Sequence, residues 1–306
     1  MNVLACERLS RWYGDVIAVN DLTVEVEPGI TGVLGPNGAG KTSLLRMATG
    51  LVRPSAGTIR VLGEDPWDNP ALAARVGYVP EGDAPWRDLS GLQCATLAAR
   101  LSGLAPGRAE EAAREKLARV GLSSAMDRRV EAYSRGMRQK LKFALALAHD
   151  PELLILDEPL LGTDPPTRRD LVQLIKGLAA EGKSVLVSTH VLPDVEAMTQ
   201  RILLVNHGRL MAYGEVAKIR DLLERYPRTV RLATPSPRPV GAALWGWESV
   251  LSVAAEEGAV VVRTRDPQRF YEDLQRMLLE RQDLAVMSVT SPDETIEAVF
   301  RYLVEA

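Results

Sequence analysis

Gly35-Pro36-Asn37-Gly38-Ala39-Gly40-Lys41-Thr42 decides the fold of this chain. The octet fits G-x-x-x-x-G-K-[ST]. It stands between a short apolar run, Ile30–Leu34, and a segment of helical spacing, Thr42–Thr49, that Gly50 is placed to end. Strand, glycine-rich loop and helix is the order a phosphate cradle needs. The glycines let successive N–H groups turn inward around a β-phosphate, and the helix N-terminus adds positive potential. Lys41 is then expected to reach the β- and γ-phosphates and the Thr42 hydroxyl to ligate Mg²⁺, with Ser43 beside it in the first helical turn.

The second informative stretch is Leu153-Leu154-Ile155-Leu156-Asp157-Glu158, an apolar strand that ends in two acids. In an open α/β sheet this places Asp157 at the carboxyl edge, where ligands bind. Asp157 can hold the Mg²⁺ shell there, and Glu158 can orient and polarise an attacking water as general base. Working outward, Val16–Val26 alternates as a strand, Pro28-Gly29 makes a turn, and Ser184–Ser188 and Ile202–Val205 are buried-type strands between helical stretches. Ser90–Ser102 and Gly107–Val120 predict two helices broken by Gly103–Pro106, and Met137–Ala148 predicts a third, giving an α-rich insert over about residues 86–150. The class is α/β with a mainly parallel sheet.

Past Gly214 the texture changes, with Pro227, Pro235, Pro237 and Pro239 punctuating the chain. Strands are predicted over Thr229–Thr234, Ala259–Thr264 and Leu284–Thr290, and helices over Gln268–Arg281 and Asp293–Val304. A small α+β domain over 216–306 is therefore expected after a first domain over 1–215. The length of 306 residues agrees with two domains at roughly 150 residues each.

Composition narrows the function. With 46% hydrophobic and 25% charged residues the chain is neither disordered nor membrane-spanning. Thirty-seven basic and 40 acidic side chains leave a net charge of −3, so no overall basic excess draws nucleic acid or anionic lipid. Any anion site must be local. Cys6 and Cys94 fit no metal-ligand spacing and no disulfide framework, which suits a reducing compartment. Apolar runs such as Phe143–Ala148 fall far below the roughly 18–20 residues that cross a bilayer. Glu7, Arg8, Arg11, Asp15 and Asp21 interrupt the start, where a signal peptide would be apolar. A cytoplasmic location is expected.

With both motifs in place, the chain resembles the ATP-binding subunits of ABC transporters, most of all those serving ABC-2-type exporters. Five further segments carry the resemblance over about residues 1–215. Tyr133-Ser134-Arg135-Gly136-Met137-Arg138-Gln139 resembles the signature motif, and Ser134 stands 23 residues before Asp157. Tyr13, in Arg11-Trp12-Tyr13-Gly14, matches the aromatic that stacks on adenine; Glu81 sits at the Q-loop, Asp164 in the D-loop and His190 at the H-loop. The resemblance implies a P-loop NTPase fold of ABC ATPase type with an α-helical subdomain, and ATP and Mg²⁺ as cofactors. It implies that Gly35 to Ser43, Tyr13 and Asp164 serve the nucleotide, that Thr42, Asp157 and Glu81 serve the metal, and that Glu158 and His190 are catalytic. Ser134 and Gly136 would meet the γ-phosphate held by a second subunit. His149 and His207 read as structural.

Three residues or segments depart from the family pattern. Glu81 replaces a glutamine, Arg135 replaces the first glycine of the signature pair, and Leu160-Leu161-Gly162-Thr163 precedes Asp164 in place of Thr-Asn-Gly-Leu. None removes Lys41, Asp157, Glu158 or His190, so hydrolysis is expected. The implied function is an ATP-hydrolysing subunit, acting as two head-to-tail copies on the inner face of the cell membrane, that powers a separately encoded permease in export. A kinase or GTPase would leave Ser134–Gln139 unexplained. The alternative is a soluble ABC ATPase acting on ribosomes or nucleic acid, against which stand the single phosphate loop and the near-neutral charge. The C-terminal domain could regulate, dimerise or bind the permease, and a role in interaction is preferred. The cargo is not legible, because the permease lines its path.

Overall fold

The structure, a computed structural model, describes residues 2–221, 227–281 and 283–292. Its chain divides into two compact units, Met1–Gly214 and Glu215–Ala306. In chain order the first unit runs β1 (Leu4–Tyr13), β2 (Val16–Val26), β3 (Ile30–Leu34), α1 (Lys41–Ala48), β4 (Ala56–Val61), α2 (Pro70–Ala73), β5 (Val76–Val79), α3 (Gly91–Leu101), α4 (Pro106–Arg119), α5 (Arg135–Ala146), β6 (Leu153–Asp157), α6 (Pro165–Ala180), β7 (Ser184–Thr189), α7 (Leu192–Glu196), β8 (Arg201–Asn206) and β9 (Arg209–Glu215). Among the described residues no helix is long and apolar enough to cross a membrane.

The main sheet has the order β5-β6-β7-β3-β8-β9. The pairings of β5 with β6, β6 with β7, and β3 with both β7 and β8 are parallel. Both faces are covered, and the strands show it residue by residue. Leu153 and Ile155 of β6 join one core with Val33, Leu44, Leu45 and Met47, while Leu154 and Leu156 join the opposite core with Leu141, Phe143 and Ile175. Alternate residues of a strand point to opposite faces, so an unbroken apolar run is what a doubly covered strand requires. The second sheet of this unit, β2-β1-β4, is antiparallel and covers the α1 side through Leu9, Leu22 and Ile59.

The helical insert follows the sequence closely. Ser90 caps α3 and forms a capping box with Gln93. Ser134 caps α5, its hydroxyl accepting the Met137 N–H at 3.2 Å. β1 escapes the alternation reading because its ladders shift register between Cys6 and Leu9, between Leu9 and Arg11 and between Arg11 and Trp12. Bulges put the inward residues Cys6 and Leu9 three apart instead of two.

The second unit holds α8 (Val216–Asp221), β10 (Arg228–Ala233), α9 (Pro237–Leu244), β11 (Val250–Glu256), β12 (Ala259–Thr264), α10 (Pro267–Glu280) and β13 (Ser288–Thr290). Its sheet, β11-β12-β10-β13, is antiparallel, and Val230, Leu232, Val260 and Val262 pack under Val240, Leu244, Phe270 and Leu274. Two of the prolines read as punctuation, Pro237 and Pro239, begin a helix instead, and Pro237 occupies the first turn of α9, where a missing N–H costs nothing. β11 was not predicted, and a register shift between Val250 and Ser252 again breaks its period. Of the strand expected over Leu284–Thr290, Ser288–Thr290 forms. The helix expected over Asp293–Val304 lies outside the described residues.

Phe143 has no exposed surface, whereas Leu101 keeps 71% of its own. Phe143→Ala is expected to cost about 3–5 kcal/mol, and Leu101→Ala less than about 0.5 kcal/mol. Urea unfolding followed by circular dichroism checks the contrast.

Candidate nucleotide site

The loop between β3 and α1 is fixed by backbone contacts that only its own sequence permits. Gly40 has φ +102°, and a Cβ there would overlap the Ala18 carbonyl. No other residue type takes that conformation at that spacing without strain. Gly40 also occupies the N-cap of α1 with no side-chain cap, so the first-turn N–H groups have no side-chain acceptor from that position. This is an anion cradle. Lys41 closes it: its buried ammonium donates to the Gly35 carbonyl at 2.7 Å and the Pro36 carbonyl at 3.2 Å. Burial lowers the Lys41 pKa, and the carboxylates of Glu158, Asp157 and Glu81 oppose the fall.

The acids come from the adjacent strand ends. Asp157 ends β6 and is 1% exposed. Its Oδ1 accepts the Ser188 hydroxyl at 2.5 Å and the Thr42 hydroxyl at 3.3 Å. Its Oδ2 is buried with no hydrogen-bond partner among the described residues. A buried carboxylate oxygen left unmatched beside a hydroxyl is the hard-oxygen donor set that Mg²⁺ takes together with nucleotide phosphates. Among the described residues no group of three or more His, Cys, Asp and Glu is placed to hold a metal ion.

Glu158 follows in left-handed backbone, φ +47°, and its N–H donates to the Ser188 carbonyl and hydroxyl, both at 3.1 Å. That conformation costs a non-glycine residue roughly 1–2 kcal/mol, and the two bonds from the end of β7 hold it. The turn brings Glu158 Oε1 to 2.9 Å from His190 Nδ1, just past the end of β7. Lys41, Thr42, Glu158 and His190 line one cleft of about 610 Å³ with Asn37, Gly38, Ala39, Gly40, Ser43, Glu81 and Tyr13. The Arg11 guanidinium sits 4.4 Å from the Tyr13 ring centroid, a cation on one face of that ring.

A family model described as ABC transporter matches residues 19–161. The chain is 37% identical over 221 residues to Nod factor export ATP-binding protein I of Cupriavidus metallidurans, a match covering 72% of this chain and 73% of that protein. It is 31% identical over 296 residues to the daunorubicin/doxorubicin resistance ATP-binding protein DrrA of Streptomyces peucetius, covering 95% and 89%. A solved structure of the ATP binding subunit of an ABC transporter matches with TM-score 0.66 and 28% identity, over 72% of this chain and 93% of that one. The chain belongs to the ABC transporter ATP-binding proteins. As an ABC subunit it is an ATPase, it binds ATP, and its fold is the α/β fold of that family.

Gly35 and Pro36, assigned to the nucleotide from sequence, accept from Lys41 through their carbonyls and do not line the cleft, and three further residues so assigned lie on other elements of this ABC chain. Ser134 and Gly136 begin α5, with Gly136 close against Thr167 of α6, and neither lines the cleft. Asp164 caps α6 by accepting the Thr167 N–H at 2.8 Å, which holds its carboxyl below the usual range. Arg135 reaches from α5 to Gly162, filling the space a Cβ would need. His149 bonds the Ser102 hydroxyl and the Val76 carbonyl and takes no part in the cleft.

Two features of the ABC site were not legible beforehand. Val16 and Ile17 add an apolar wall beside Tyr13, 66% and 57% exposed, and a strand alternation gives no reason to single them out. Ser188 has no exposed surface and serves both Asp157 and Glu158. Removing a bond to a charged group costs about 1.5–3 kcal/mol, so Ser188→Ala is expected to lower turnover at least about tenfold without unfolding the chain. Steady-state ATPase rates beside a thermal melt check this.

Proposed function

We propose that this ABC subunit binds MgATP in the cleft between β2, the α1 loop and the ends of β6 and β7, and hydrolyses it to drive a separately encoded membrane permease in export. The convergence of Lys41, Thr42, Glu158 and His190 on one cleft, with Asp157 bonded to Thr42 beneath it, carries the reading. The names of the relatives, one in Nod factor export and one in drug resistance, favour export.

In this reading the adenine stacks on the Tyr13 face opposite Arg11, beside Val16 and Ile17. Gly35 to Ser43 wrap the phosphates, and Lys41 exchanges its bonds to the Gly35 and Pro36 carbonyls for phosphate oxygens. Thr42 and Asp157 hold Mg²⁺, with Glu81 reaching the same shell, and Mg²⁺ supplies neutralisation of the β- and γ-phosphate charge. Glu158 accepts the proton of the water whose oxygen bonds to the γ-phosphorus as the bond to the β-phosphate oxygen breaks. His190 orients the Glu158 carboxylate and contacts the γ-phosphate.

Ser134, Gly136 and Asp164 serve the site of a second copy. The Ser134 hydroxyl accepts from Met137 and keeps its own hydrogen to donate, at the N-terminus of a helix. Two copies packed head to tail would bring each α5 to the other's γ-phosphate. The domain over 1–215 is the ATPase and that over 216–306 an interaction module, and the assembly sits on the inner membrane face through the permease.

Glu158→Gln is expected to keep MgATP binding and cut turnover at least about 10²-fold, the usual scale for a positioned base, while Lys41→Ala weakens binding itself. Equilibrium nucleotide binding and phosphate release separate the two. With ATP, Glu158→Gln protein should sediment as a dimer and Glu158→Gln/Ser134→Arg as a monomer. Full ATPase activity in a strictly monomeric species would overturn the shared site.

A further inference from the structure

A second cavity, of about 580 Å³, adjoins the nucleotide cleft and shares Glu81, Glu158 and Leu161 with it. Its inner wall carries Lys142, the eighth residue of α5, which is 4% exposed. A buried ammonium is costly unless it is matched. Lys142 Nζ donates to the Gly82 carbonyl at 2.7 Å, in the loop that presents Glu81. The acids acting on it are Asp83 and Glu81 from that loop and Asp157 from β6. Two of these three have partners of their own. Asp83 pairs with Arg138 at 2.8 Å and with Arg87 at 3.6 Å, and Asp157 accepts from Ser188 and Thr42. Glu81 forms no hydrogen bond or ion pair among the described residues.

The other cations of the cavity are committed elsewhere. Arg46 of α1 acts on the Tyr78 phenol, opposing the rise in its pKa that burial causes, Arg138 is paired with Asp83, and Arg135 lies against Gly162. Lys142 is left as the buried cation that faces the Glu81 loop with only a neutral carbonyl to bond.

We propose that Lys142 is a positioning residue for the ATPase reaction, whose buried charge offsets that of Glu81 so that a carboxylate can stand beside the nucleotide phosphates. A glutamate in that place repels an anion that a neutral side chain would not. A cation in the adjoining cavity that Glu81 also lines offsets the repulsion without entering the nucleotide cleft, and the bond to Gly82 keeps the cation there. The inference rests on the cleft being the ATP site.

The test reads metal-free affinity, with EDTA present, through a fluorescent ATP analogue on the full chain. Lys142→Met is expected to weaken binding about tenfold, Glu81→Gln to tighten it, and the double variant to return within about twofold of the parent. A double variant as weak as Lys142→Met would make Lys142 a mere prop for the Gly82 carbonyl and overturn the proposal, as would unchanged affinity in Lys142→Met. If Lys142→Met does not fold, Lys142→Gln replaces it, since its amide can still donate to Gly82 while carrying no charge. Lys41→Ala controls for the site and is expected to abolish binding: binding that survives it would overturn the ATP-site reading on which the charge pairing rests, whereas unchanged affinity in the Lys142 and Glu81 variants while Lys41→Ala abolishes binding would overturn the charge pairing alone.

Discussion

The hydrogen bond from the Ser188 hydroxyl to Asp157 Oδ1, 2.5 Å long and closed to solvent, ties together the ends of two neighbouring parallel strands. The same serine holds the Glu158 N–H, so one side chain sets both the direction of Asp157 and the left-handed turn that swings Glu158 toward His190. β3, which delivers Lys41 and Thr42, pairs with β7 on the other side. Three adjacent strands thus end at one edge, each followed by a residue with a chemical task. Parallel pairing is what allows it, because antiparallel neighbours would send alternate ends to opposite edges of the sheet.

The parts of the site that sequence discloses are those written as contiguous words. Gly35 to Thr42 and Leu153 to Glu158 each combine an element and its functional end within a few residues, so local periodicity and side-chain chemistry agree. Ser188 is different: its importance comes from residues 30 and more positions away, and a serine at a strand end is ordinary until the neighbouring strand is known. Lys142 is harder still. In a helix that also carries Arg135, Arg138 and Lys140, a further lysine reads as part of a solvated face, and only the loop bearing Gly82 shows that it is enclosed.

The fold divides along a similar line. Strands with a clean run, such as β6 and β7, are predictable because both faces are covered and every residue before the terminal Asp157 of β6, and all of β7, is apolar or small. β1 and β11 hide because bulges break their period, and α9 hides because its prolines sit in the first turn, where they favour a helix although they end one anywhere later. In each case the missing information is a backbone irregularity that residue types tolerate without requiring.

Helix α5 shows why the irregular residues matter together. Ser134, Arg138 and Lys142 recur every four residues and so lie along one stripe of the helix. The first caps it at the end proposed to meet a second copy, the second pairs with Asp83, and the third bonds Gly82. Two successive turns of the helix therefore grip two successive residues of the loop after Glu81. The helix and that loop are thus joined by a charged pair and a charged hydrogen bond, both stronger than neutral hydrogen bonds. The stripe costs stability, since burying Lys142 lowers its pKa to about 8. That cost is accepted where a carboxylate and a polyphosphate must share one edge of a sheet.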